Sequence, residues 1–290
     1  MALISLRIFF AKRLFFTLFI LSGVTSNLYG QQFALGAKAG PLTSWSVYGD
    51  KDDGKLFDSK ATFGFFGAGI ITFPLKNNYS CVIEGGYSQK GRDIIFNGGN
   101  GQNTAKYQFF DAGLLLRRSF KFNLAKNLPS EVFVNIGPHI NYWIGGSGHI
   151  GTVDNDGSPY TVVFNEDVDL EQFDKMFLND INRWMFGIDI GVGLMAPITP
   201  TQNVLVELRF TSGHTFYGER NSASYSWVEF QDNLRANEKV LSLTAAYMFG
   251  FNIQESRKGR STKDKEVHRK KVNKKKKKRP SSTNLFRSIF

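Results

Sequence analysis

His139, His149 and His214 are the side chains best suited to general-base work at neutral pH, and Ser88, Ser147 and Ser212 are the candidate nucleophiles. Acyl transfer would need such a pair, with an acid to orient the base, gathered at one mouth of the fold. None of the serines sits in a G-x-S-x-G turn or another nucleophile motif. The histidines therefore read as structural hydrogen-bonding residues, and no catalytic residue is assigned. Cys81 is the one cysteine, which excludes a disulfide framework and a paired-thiol metal site. No Cys/His cluster has metal-ligand spacing, and no glycine-rich loop joins a strand to a helix to cradle phosphate. Neither a metal nor a cofactor is expected.

A second group of charges is spread along the chain: Lys38, Glu84, Asp111, Arg117, Asp189, Glu207 and Arg209. Four acids and three bases could form an ion or proton path, or a salt-bridged plug. The choice depends on the elements that carry them. Residues 185–194 (MFGIDIGVGL) show the pattern best. Read with period two, Phe186, Ile188, Ile190, Val192 and Leu194 form one face, and Gly187, Asp189, Gly191 and Gly193 the other. Small and charged residues cannot fill a soluble core. They suit the lumen of a membrane barrel whose apolar face meets lipid.

Eight segments repeat this alternation: 33–40, 62–73, 79–90, 106–120, 131–144, 185–194, 203–212 and 239–251. The predicted fold is an all-β, eight-stranded antiparallel up-and-down transmembrane barrel. Outward positions include Leu35, Ile83, Phe110, Leu114, Val134, Ile136, Val206, Leu208, Leu241 and Leu243; the phase of 62–73 is not fixed. At eight strands the interior is just filled by side chains, so the seven inward charges read as a paired plug that shuts the lumen. Connections 74–78 and 197–202 are short, 121–130 is moderate, and 41–61, 91–105, 145–183 and 213–238 are long. Outer-membrane barrels have short periplasmic turns and longer extracellular loops, so both mature ends are expected in the periplasm. Within 145–183, Asp154-Asn155-Asp156-Gly157 predicts a hairpin above the membrane rather than a ninth and tenth membrane strand. Leu170, Phe173, Phe177 and Ile181 have helical spacing and predict a capping helix over 168–181.

The formal net charge of +11 hides a division. Residues 257–290 carry 15 Lys and Arg against Asp264 and Glu266, whereas residues 31–256 are net acidic. Residues 1–30 read as a signal peptide, with Arg7, Lys12 and Arg13 ahead of a short apolar run; cleavage sites after Ser26 and Gly30 both fit. The domains are then the signal at 1–30, the barrel at 31–252 and a basic low-complexity tail at 253–290, expected to be disordered when free. In a cytosolic chain, Lys270, Lys271, Lys274, Lys275, Lys276, Lys277, Lys278 and Arg279 would suggest nucleic acid. Behind a signal peptide they point instead to an anionic periplasmic surface, and no nucleic-acid partner is expected.

Several segments resemble the PorT-like family of bacterial outer-membrane β-barrels. These are Gly36-Ala37-Lys38-Ala39-Gly40, the run Glu84–Gly91 (EGGYSQKG), Gly137-Pro138, Arg209-Phe210-Thr211-Ser212-Gly213 and the closing Tyr247-Met248-Phe249. The chain departs from the family in continuing Asp111-Ala112-Gly113 where a proline is common, and in its tail. The resemblance implies outer-membrane lipid around the barrel, secretion or envelope proteins as partners, and a non-enzymatic scaffold role. A lipid-modifying enzyme and a small porin are the alternative functions.

Overall fold

Outward apolar residues alternating with inward polar or small ones give a sheet of twelve strands among the described residues of the computed structural model. The structure describes residues 32–252 except 99–100, 126–127, 153–154, 168–170, 173, 221 and 226–231. The signal segment 1–30 and the tail 253–290 lie outside the described residues. One compact unit is Phe33–Phe251; the second, Met1–Gln32 with Asn252–Phe290, is almost wholly outside them.

The strands are β1 (Gln32–Tyr48), β2 (Phe57–Lys60), β3 (Thr62–Pro74), β4 (Tyr79–Phe96), β5 (Gly101–Ala125) and β6 (Leu128–Thr152). They continue as β7 (Asn155–Phe164), β8 (Lys175–Leu178), β9 (Trp184–Thr199), β10 (Gln202–Gly213), β11 (Ala223–Tyr225) and β12 (Ala236–Asn252). Eight of them form a ring in the order β1-β3-β4-β5-β6-β9-β10-β12, with β12 returning to β1. The pairings from β1 through β12 by way of β9 are antiparallel. All eight predicted segments fall in this ring.

The outer wall is apolar: Ile190, Val192 and Leu243 are 49%, 53% and 51% exposed. A water-facing surface does not tolerate a contiguous apolar wall of this extent. Aromatic residues collect at its two rims, as in a membrane girdle. Tyr142 packs on Trp184 (4.7 Å between centroids) and Phe65 on Tyr87 (5.7 Å) at one rim. Phe33 stacks on Phe251 (5.1 Å) at the other. That second rim carries the tight turns. One of them is made by Asn77 and Asn78, whose left-handed φ values of 59° and 61° asparagine tolerates.

Inward glycines serve both strand closure and interior space. A side chain on Gly86 or Gly137 would collide with the carbonyl of Gly67 or Leu114 on the next strand. Gly193 leaves room for the Phe133 ring and Gly191 for Glu207 Oε1, 2.8 Å from where its Cβ would lie.

β5 and β6 each run 25 residues, well past the roughly 9–11 that cross a bilayer. Their excess lengths rise above the aromatic rim and build a cap with β2, β7, β8, β11 and the upper end of β4. This corrects two expectations. Residues 91–105 are a hairpin of β4 and β5, with 99–100 outside the described residues, because Ile94 and Tyr107 find a buried core above the membrane. The 168–181 stretch is not a helix where described: Lys175–Leu178 is a strand parallel to β7, with Met176, Phe177 and Leu178 all buried. Three consecutive buried residues suit a strand covered on both faces, which sparse apolar spacing cannot tell from a helix. The predicted hairpin near 154 does form, as β6 and β7.

Ile190→Arg should destabilise the folded barrel by about 2–4 kcal/mol if Ile190 faces lipid near mid-membrane. Unfolding in urea, followed by the heat-modifiable gel shift in micelles, measures it. A loss under about 0.5 kcal/mol would contradict that placement.

Candidate functional site

The alternation that sends Ile190 to lipid sends Asp189 into the barrel, and the same parity on four other strands gathers the remaining predicted inward charges. All seven predicted lumen residues are buried. Arg209 on β10 is the centre: Nη1 lies 2.6 Å from Glu84 Oε2 and 3.2 Å from Asp189 Oδ2, and Nη2 lies 2.6 Å from Glu207 Oε1. Lys38 on β1 completes a square, its Nζ 3.0 Å from Glu84 Oε1 and 3.2 Å from Glu207 Oε2. Ionised groups removed from water need this kind of multiple pairing, because an uncompensated charge in a low-dielectric interior is very costly.

From Asp189 the network continues through a residue that the sequence reading treated only as a hydrogen-bond partner. His139 Nδ1 is 3.1 Å from Asp189 Oδ2, and Nε2 is 3.1 Å from Asp111 Oδ1. Two carboxylates are satisfied together when both ring nitrogens donate, an arrangement that suits an imidazolium at His139. Lys90 Nζ lies 3.6 Å from Asp111 Oδ1 and 2.9 Å from Glu238 Oε2. With His139 charged, Lys38, Lys90, Arg117, His139 and Arg209 balance Glu84, Asp111, Asp189, Glu207 and Glu238. Arg117 stands apart from the network. Its Nε donates to Asn135 Oδ1 (3.0 Å) and its guanidinium lies 4.2 Å from the Phe133 ring centre.

Lys90 shares the parity of Glu84 and Ser88, so its inward direction was available from the sequence. Glu238 lies one residue before the predicted start of the last strand. A third omission is apolar. Ile70, Val82, Leu115, Phe133, Leu205, Ala246 and Met248 point inward and pack as a floor at the tight-turn end.

At the opposite end the cap forms a roof. Trp143 is fully buried against Tyr107 (4.6 Å between centroids), Phe164 (5.3 Å) and Tyr217 (5.5 Å). Burial pushes the phenols of Tyr107 and Tyr217 well above their ordinary range, as a dry core demands. Arg92 locks the roof with a two-pronged pair to Asp232, Nε to Oδ2 at 2.9 Å and Nη2 to Oδ1 at 2.8 Å. It also donates to Ser46 Oγ and to the Asn233 carbonyl. Asp232 further accepts from Asn103, which accepts from Tyr160. Neither Arg92 nor Asp232 was predicted, since both fell in stretches read as loops.

Between roof and charge layer lies a small chamber walled by His139, Ser88, Thr211 and Ser242, with about 20 Å³ of room for water. That room suits one or two waters. Both nitrogens of His139 face carboxylates, leaving neither to activate Ser88. His149 and Ser147 are exposed on the cap and His214 is exposed at the end of β10, and Ser212 is instead bonded to Lys239 Nζ (2.7 Å).

An apolar outer wall, aromatic rims and a filled interior define a membrane β-barrel. The chain belongs to the outer membrane protein beta-barrel domain family, which matches residues 25–213. It is an outer-membrane β-barrel protein. Among solved structures, the outer membrane protein OprG from Pseudomonas aeruginosa is similar at 11% identity, covering 77% of this chain and 97% of that one, with a TM-score of 0.43. Neisserial surface protein A is similar at 12% identity over 76% and 97%, with a TM-score of 0.40. The attachment invasion locus protein Ail of Yersinia pestis is similar at 11% identity over 76% and 99%, with a TM-score of 0.32. No curated protein matches the sequence.

Arg209→Met leaves three carboxylates with too few cations and should cost about 3–5 kcal/mol of barrel stability, read from urea midpoints in micelles. Adding Glu84→Gln should restore part of the loss, giving a double variant less destabilised than the sum of the singles. Additive losses would mean that the two side chains do not act as a pair.

Proposed function

We propose that this protein is a closed, non-enzymatic up-and-down barrel of the PorT-like type, acting as an interaction scaffold in the envelope or in protein secretion. The observation that carries this reading is the filled interior: an apolar floor, a balanced charge layer and an aromatic roof. A barrel plugged at three levels favours neither the porin alternative nor an internal active site. What remains available to partners is the cap and the tail. The cap faces outward in this reading, because the tight turns at the other end suit the periplasmic side. Both mature termini then lie in the periplasm, after removal of the signal peptide.

The tail residues Lys270, Lys271, Lys274, Lys275, Lys276, Lys277, Lys278 and Arg279 would there meet an anionic surface, whether inner-membrane lipid, a cell-wall polymer or an acidic protein. Each basic residue near such a bilayer contributes about 1 kcal/mol, and salt screens the attraction.

Truncation after Gln254 tests the scaffold reading. The shortened chain should still fold and show the gel shift, because β12 ends at Asn252. It should lose partners that the full chain captures at low salt and releases at high salt, and a defect in the set of secreted proteins should follow. Partner capture and secretion that are unchanged by the truncation and by deletion of the whole gene would reject this function.

A further inference from the structure

We propose that the lipid-facing wall across β6, β9, β10 and β12, just below the cap, seats a glycolipid bearing more than one phosphate. The inference rests on the cap facing outward, where such a lipid would form the surrounding leaflet.

Two arginines, a lysine and a histidine lie where the aromatic rim gives way to the cap. Arg183 is half-buried, its guanidinium 4.7 Å from the centre of the Tyr142 ring and 4.3 Å from that of Phe164, with Nε donating to the Trp143 carbonyl at 3.1 Å. His214 is exposed and extends the ladder, its N–H donating to the Phe186 carbonyl at 2.8 Å. Lys239 points outward opposite Ser212 and bonds its hydroxyl. Arg235 is exposed one residue before β12. The ion pairs of the described surface are Lys55–Asp52, Arg220–Asp50 and Arg220–Asp53, so none of these four is neutralised by a carboxylate there.

The surrounding charges sharpen the case. The nearest acids by register are Asp180 and Glu219, which flank the Ile181–Gly218 bridge, and Asp50, next to the Gly49 amide that bonds the Arg235 carbonyl and itself paired with Arg220. On the opposite wall Lys60 pairs in register with Asp93, and Asp58 precedes it on the same strand, while Lys106 faces Gly91 and Ser147. Along the β9–β12 side Arg183, Arg235 and Lys239 follow one another with no carboxylate in ion-pair contact among the described residues. Strand spacing and rise set Arg183 about 11 Å from His214, His214 about 8 Å from Lys239, and Arg183 about 19 Å from Lys239. A single phosphate would reach one of them, whereas a diphosphorylated sugar headgroup would span them. Below the cations, Trp184, Phe186, Ile188 and Phe210 present exposed apolar surface to acyl chains.

The test uses the folded full-length chain in a neutral detergent, titrated with a bisphosphorylated, acylated disaccharide and followed by native mass spectrometry. One molecule should bind per barrel. Arg183→Gln with Lys239→Gln should weaken binding by roughly 30-fold, at about fivefold for each charge near an anionic surface. Lys239→Glu repeats the test without disturbing the stacking of Arg183. Lys60→Gln with Lys106→Gln removes as much charge from the opposite wall and should leave affinity within about twofold. Equal losses in both double variants, or equal binding of the dephosphorylated disaccharide or of a phospholipid with one phosphate, would overturn the proposal. Protease added to whole cells reports separately whether the cap faces outward, so a wrong orientation is distinguished from a missing seat.

Discussion

A charge inside an eight-stranded barrel has no bulk water to solvate it, and this constraint governs the interior. Arg209 answers it by meeting Glu84, Glu207 and Asp189 together. Its position is possible because the facing strand offers glycine: Gly191 leaves room for the Glu207 carboxylate. The alternation that makes β9 greasy outside and small inside is therefore one design with two products, a lipid-facing wall and space for ion pairs anchored on other strands. His139 extends the logic by joining two carboxylates that would otherwise repel. The buried pairs are weak evidence for stability in themselves, since well-packed apolar residues often do as well. Their clear consequence is that the middle of the barrel is occupied.

The ends are closed by different means. At the floor, inward apolar residues from most of the ring pack on one another, and Phe133 also carries the Arg117 guanidinium. At the roof, strands β5 and β6 simply continue, and the sheet folds over a core centred on Trp143. The cap is thus an extension of the barrel's own sheet rather than a set of loops laid across a mouth.

Much of the ring was legible in the sequence because a period-two pattern identifies both the strand and its phase. Residues 185–194 and 203–212 were read with the faces the structure gives them. Reading stopped where the alternation changes meaning. Beyond the aromatic rim both faces can be polar or covered, so Ile94, Arg92 and Asn103 were assigned to a loop though they lie in strands. The floor was missed for the opposite reason. Val82 and Leu115 share the inward parity of Glu84 and Asp111 yet are apolar, because a closed barrel end buries apolar side chains as a soluble core does. Tertiary proximity was the last gap. Nothing in the spacing of Asp111, His139 and Asp189 announces that one ring lies between two carboxylates.

The central claim is that the interior is shut at three levels, and electrical conductance across a planar bilayer tests it most directly. The full-length folded chain, inserted singly, should give no sustained current steps over a range of voltages. Stable, ohmic steps from the wild-type protein would mean that water and ions pass through the charge layer, and would contradict the account.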